Sequence, residues 1–288
     1  MILRTNPAIL LLTVLMSGCT TISPSIKQSI NSDPDVFSHE RFDRTLNRTV
    51  DSHGRVDYKT LKNRPDDLEA YYQLISHYSP DSHPELFPTE KDRLAYWINA
   101  YNAAVIKIIL TYYPIAGIEE VTPPFPLFFL PDKTGFFFFQ RPTFGTVTTS
   151  LYYLENSVIR KRFLEPRVHF ALNCASLGCP RLPNSAFVGD QLDNQLDREA
   201  RRFFAEERNL RINPELKIVY LSSIMDWYRD DFINWYRARY PISSASLIDY
   251  VVLYLPKEKA EHLKANAQNY QVEFVPYDWK LNDQNASE

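Results

Sequence analysis

The sequence predicts an α+β fold: a helix-rich single domain with a central buried apolar helix and a small sheet of short strands. Three observations carry this. The longest periodic stretch, Glu90 to Tyr113, is apolar nearly all round, and a helix without a polar face belongs inside a core. Segments that read as strands are short and scattered, with no regular βαβ alternation and no internal repeat. Hydrophobic residues make up 44% and aromatic residues 14% of the 288, with 18 Tyr and 18 Phe, a composition that packs rather than stays disordered.

Taken in order, the first element is a targeting segment. Arg4 precedes an apolar run through Ile9, Leu10, Leu11, Leu12, Val14 and Leu15, which reads as a signal peptide. The run is interrupted by Asn6, Pro7 and Thr13 and falls short of the roughly 20 apolar residues a bilayer crossing needs. Leu15, Met16, Ser17, Gly18 and Cys19 resemble the bacterial lipobox, with Met16 where Leu is commoner. The expectation is therefore a signal peptide over 1–18 and a lipidated Cys19. Thr20 resembles residues that permit transfer to the outer membrane. This implies a cell-envelope protein held on the periplasmic face of that membrane, with the membrane as partner through Cys19. The competing expectation is a secreted precursor cleaved elsewhere. Residues 19–35, polar with Pro24 and Pro34, suit a tether, and 36–288 the domain.

Within the domain, Phe42, Leu46 and Val50 recur at helical spacing, and Tyr58, Leu61, Leu68, Tyr71, Tyr72 and Ile75 resume it after His53 and Gly54. Thr89 followed by Asp92 forms a capping-box pattern before the central helix, and Pro114 stops it. Between Val121 and Gly145, five prolines surround Phe136 to Phe139, a loop followed by a hairpin-like pair of strands. Arg167 to Leu172 predicts a short buried strand, Leu192 to Phe204 a helix, Lys217 to Leu221 a strand, Asp226 to Tyr240 a helix, and Gln271 to Val275 a last strand.

Charge narrows the function. Lys and Arg number 32 against 35 Asp and Glu, with no basic block, so no nucleic-acid partner is expected. No glycine-rich phosphate loop, dinucleotide fingerprint or zinc-protease helix motif occurs, so no cofactor is expected. Reactive residue types are densest from Arg167 to Pro180, which contains His169, Asn173, Cys174, Ser176 and Cys179.

Four blocks resemble the bacterial domain-of-unknown-function 547 family: Ala95 to Asn102, His169 to Pro180, Leu221 to Tyr228, and Tyr277 to Asp283. They occur in the family's order. The resemblance implies the domain and leaves the activity open. Glu155 lies in a segment, Leu151 to Asn156, similar to the family's Leu-rich stretch bearing a glutamate.

Three readings of the reactive cluster stand side by side. In the first, Cys174 is a nucleophile, His169 its base and Glu155 the carboxylate that orients the base, giving a thiol hydrolase or acyltransferase acting on an envelope peptide, glycan or protein, such as a peptidoglycan-like substrate. A straight strand would hold His169 and Cys174 roughly 16 Å apart on opposite faces, so this reading requires a bend near Asn173. In the second, Cys174 and Cys179 form a structural disulfide, as an oxidising envelope favours, and the protein is a noncatalytic binder whose aromatic loop, Phe125, Phe128, Phe129 and Phe136 to Phe139, meets a partner. Exposure of Phe128 and Phe129 distinguishes that loop from core. In the third, His169, Cys174 and Cys179 ligate zinc, although a fourth ligand is missing from the pattern and no metal is assigned. Asn99 and Asn102 share a face of the central helix and must be hydrogen-bonded, since an unpaired buried amide costs about 1–3 kcal/mol. Asp226 and Trp227 are candidate substrate contacts, Asp226 sharing a helix face with Asp230. The remaining histidines, His39, His53, His77, His83 and His262, are expected at the surface.

Overall fold

A computed structural model of the chain describes residues 18–25, 36–240 and 244–286. The expected signal peptide, apart from Gly18, and the tether over 26–35 lie outside the described residues. Ahead of them, the stretch expected as the start of a tether forms strand β1, Thr20–Ile22.

Helices α1 (Glu40–Thr49), α2 (Tyr58–Asn63) and α3 (Asp66–His77) bring Phe42, Leu46, Tyr58, Leu61, Leu68, Tyr71, Tyr72 and Ile75 into one core. That core is built on α4, Glu90–Tyr112. The expected capping box is present: Thr89 Oγ1 accepts the Asp92 N–H and Asp92 returns a bond to the Thr89 N–H, closing two of the orphan donors of the first turn. Every residue from Leu94 to Leu110 is buried. The helix is long and apolar enough to cross a membrane, and 94% of its apolar window is buried inside the protein, as a central core helix should be. Its only charge between Leu94 and Leu110, Lys107, pairs with the buried Glu69 of α3. Removing one member of such a pair strands the other, at about 3–5 kcal/mol.

The expected strands around Phe136 to Phe139 sit a few residues later. Gly135–Phe139 winds as a π-type turn, and the hairpin is β2, Gln140–Phe144, with β3, Val147–Thr148. Strand β1 pairs with β2 in parallel, Thr20 opposite Gln140. A helical stretch then runs from Leu151 to Phe163, its middle turn, Leu154–Ile159, also wound as π.

A second core forms beyond it. Helix α5 (Leu192–Ala205) contributes Phe203 and Phe204. A sheet of β4 (Leu210–Asn213), β5 (Ile218–Ser222) and β6 (Gln271–Val275) pairs β4 with β5 antiparallel and β5 with β6 parallel. The helix expected over Asp226 to Tyr240 is broken at Tyr228 into α6 (Ser223–Trp227) and α7 (Arg229–Arg239). Ser222 caps α6, accepting the Ile224 N–H.

The predicted strand over Arg167 to Leu172 is instead a 3-10 turn, Pro166–Phe170. Pro166 presets a helical φ at the first position, and Glu165 accepts the Arg167 N–H at 3.1 Å. Burial was read correctly and conformation was not, because a short apolar run does not separate strand from helix by periodicity. This turn is the seam of the protein: Val168, Ala171 and Leu172 enter the first core while Phe170 enters the second.

Candidate functional site

Asn99 and Asn102 act first, by fixing backbone. Asn99 donates to the Phe187 carbonyl at 2.8 Å and accepts the Phe187 N–H at 3.0 Å. Asn102 does the same one turn later, donating to the Ala171 carbonyl and accepting the Asn173 N–H, both at 2.9 Å. Both amides are buried and each is bonded to backbone through its nitrogen and its oxygen. Asn102 nonetheless positions the stem of the Cys174 loop.

Past that stem, Asn173 spans the loop. Its amide donates to the Pro180 carbonyl at 2.8 Å, and its carbonyl accepts the Ala175 N–H at 2.9 Å and the Asn282 amide at 3.3 Å. Ala175 takes a left-handed φ of 64°. Leu177 and Gly178 bond the carbonyls of Lys280 and Asp278, each at 2.8 Å. A Cβ on Gly178 would sit 2.9 Å from the Asp278 nitrogen, so this approach of two backbones requires glycine.

Within the loop thus tied down, Cys174 and Cys179 are disulfide-bonded, with Cα atoms 6.1 Å apart. Cys174 is half-buried and Cys179 buried. The Cys174 N–H donates to Cys179 Sγ at 2.9 Å, and the Tyr277 hydroxyl lies 3.0 Å from each sulfur. Burial pushes the Tyr277 phenol up, opposed by the nearby Arg208 and reinforced by Glu155, so it remains a donor at neutral pH. Ser176 Oγ is buried beside that hydroxyl without a hydrogen bond of proper geometry.

His169 belongs to a different environment. Its ring stacks on Tyr228 at 3.8 Å between centroids and meets Phe232 edge-on. Its Nε2 lies 2.8 Å from Asp231, which also accepts Arg160 at 2.7 and 3.0 Å. Burial lowers the His169 pKa, against the opposing pull of Asp231 and Glu155, so the ring is neutral near pH 7. Burial would raise Asp231, but hydrogen bonds from His169 and Arg160 outweigh it and hold that carboxyl down at about 2.

Glu155 is nearly buried and accepts two phenols, Tyr101 at 3.2 Å and Tyr228 through a short bond. The expected Cys174, His169 and Glu155 arrangement is therefore not assembled. The sulfur is bonded to Cys179, the imidazole to Asp231, and the glutamate to two tyrosines. The bend required near Asn173 exists, and it sets Cys174 Sγ against the Tyr277 hydroxyl. The zinc alternative has both sulfurs in a disulfide, and no cluster of three His, Cys, Asp or Glu occurs among the described residues. His39 departs from the surface expectation: its Nδ1 lies 2.8 Å from the Tyr71 hydroxyl, and burial lowers its pKa to about 4, against a pull from Asp92.

Beside the disulfide opens a cleft of about 590 Å³, lined among others by Asn173, Ser176, Arg181, Arg208, Tyr277 and Asn282. Next to Tyr277 stands an aromatic platform. Trp279 lies 4.3 Å from Tyr277, Trp227 lies 4.9 Å from it, and the two tryptophans stack at 5.8 Å. Trp227 is 49% exposed. Asp226, expected to share a face with Asp230, is exposed and paired to Arg229 at 2.8 Å. Tyr101, Tyr228 and Tyr277 stand inside the motif blocks but were not singled out, and Asp231 lies three residues past Tyr228. Their partners are distant in sequence, which no local pattern announces.

Residues 86–204 match the family model described as "Protein of unknown function, DUF547", and over that stretch the chain is similar to this family. No curated protein and no solved structure matches it.

Proposed function

We propose that this chain is a lipid-anchored protein of the bacterial cell envelope that binds a peptide- or glycan-bearing ligand in the cleft beside a structural disulfide. The observation that carries the binding reading is the commitment of each expected catalytic group to another partner: Cys174 to Cys179, His169 to Asp231 and Glu155 to two phenols. The cleft supports it with amide and guanidinium groups on its walls and an aromatic platform at Tyr277, a combination that suits sugar faces and peptide amides. The sequence around Cys19 supports the anchor.

Titration with disaccharide-peptide fragments of peptidoglycan, followed by tryptophan emission, tests the proposal. Binding is expected to perturb Trp227 and Trp279, and Trp227→Ala is expected to weaken it about fivefold, the equivalent of roughly 1 kcal/mol of aromatic contact. Equal affinity in the variant, or no binding, contradicts the assignment of the cleft.

One observation favours a second reading, the thiol enzyme. Cys174 is the more accessible sulfur, and once the disulfide is reduced the Tyr277 hydroxyl is placed to stabilise a thiolate there. That reading requires reduction of Cys174 in the envelope and a base other than His169.

A further inference from the structure

The described N-terminal segment has almost no slack. Ile22 is buried and its carbonyl accepts the Tyr72 hydroxyl at 2.9 Å. The Ser25 N–H donates to Glu69 at 2.8 Å, the carboxylate that Lys107 pairs inside the core. Cys19 is thus the residue immediately before a strand locked to the domain.

The neighbours of that strand matter next. Thr20 stands opposite Gln140, whose side chain donates to the Gly135 carbonyl at 3.2 Å. Gly135 in turn is pressed on the Val121 backbone. Val121 and Gly135 are the two stems of a loop whose tip carries Phe125, Phe128 and Phe129, exposed by 84%, 69% and 71%. The Phe125 and Phe128 rings stack on each other at 6.2 Å. Phe138, on the turn that leads into Gln140, and Tyr152, on the helical stretch after β3, stack at 4.2 Å and are also exposed. Single exposed apolar residues are ordinary, but a cluster beside the attachment point marks a contact surface.

We infer that this loop is a membrane wedge: the acyl group on Cys19 and the side chains of Phe125, Phe128 and Phe129 enter the same bilayer, with Phe138 and Tyr152 at its interface. The inference rests on the anchor proposed at Cys19. A flexible tether would let the domain tumble above the membrane, whereas a docked β1 holds the Phe125 end against the lipid. Aromatic rings favour that boundary. The attraction is apolar, since Lys133, the loop's lysine, lies over Trp279 and pairs with Glu119. Anionic lipid is accordingly not required.

The test uses the full lipidated chain in phosphatidylethanolamine and phosphatidylglycerol vesicles, with a nitroxide on Phe128→Cys or, as control, on Leu216→Cys in the exposed β4–β5 turn. The label at 128 is expected to collide several-fold more with oxygen than with a water-soluble nickel chelate, and the label at 216 to show the reverse. A water-like label at 128, while radiolabelled palmitate still enters Cys19, overturns the wedge and leaves the anchor standing. A label water-like in vesicles but immobilised in native envelopes also overturns it, pointing to a protein partner. Absence of palmitate at Cys19 removes the anchor and the inference with it.

Discussion

His169 and Cys174 stand five positions apart, and the two ends of that segment are held by different forces. The histidine end is packed: its side chain is 1% exposed, clasped by Tyr228, Phe232 and Asp231, on a turn whose Phe170 plugs the second core. The cysteine end is closed on itself by a disulfide and tied by backbone hydrogen bonds to residues 278–282, and it faces a cleft. Nearness in sequence supplied the candidates but not the site. A 3-10 turn at the seam of two cores commits His169 inward, and the Asn173 bend commits Cys174 to Tyr277.

The contrast breaks most readily at the packed end. Phe170 touches Phe203, Phe204 and Phe232 with centroids at 4.8, 5.1 and 5.6 Å. Phe170→Ala is expected to lower stability by about 3–5 kcal/mol in urea unfolding, the range for a buried phenylalanine. A loss under about 1 kcal/mol would mean that the seam is not a shared core element.

At the other end the expected effect is smaller. The disulfide closes a short loop, and constraining so few residues contributes about 2 kcal/mol. Cys174→Ala and Cys179→Ala should therefore destabilise equally in thermal denaturation, and the double variant should match either single one. A loss confined to one variant would speak for a thiol with its own role.

Acid separates the two ends more gently. Burial holds the folded His169 ring below its ordinary 6.5, so on acidification the unfolded chain takes up a proton that the folded chain refuses. The His169 contribution is complete above about 6.5 and declines as pH falls below it. Asp231, held down at about 2 from 3.8, gives its own contribution up only in that lower window. Tm should fall as pH drops below 6.5, and His169→Gln should lessen that slope, His39 supplying the rest, whereas Cys174→Ala should leave it unchanged.

What the sequence made legible follows the same division. Helix α4 could be read from residues because capping box, apolar periodicity and terminal proline agree. The need for partners at Asn99 and Asn102 was legible too, since buried amides must bond. The 166–170 turn was misread because Val168, His169 and Phe170 look like strand and only Pro166 signalled otherwise. Asp231 and Tyr277 escaped notice for another reason: they meet His169 and Cys174 across 62 and 103 residues, and such pairings are made by the packing of two cores. Phe128 and Phe129 are exposed, so the tip of that loop is not core, which the residue types alone did not decide.

The central claim, that Cys174 and Cys179 are bonded to each other in the working protein, is tested most directly by counting reactive thiols. Protein isolated without reductant from the cells that make it is treated with iodoacetamide at neutral pH, before and after a reductant, and the labelled peptides are identified by mass. No label on Cys174 or Cys179 before reduction, and label on both afterwards, is the predicted result. Rapid labelling of Cys174 alone without reductant would contradict it and restore the thiol enzyme as the first reading.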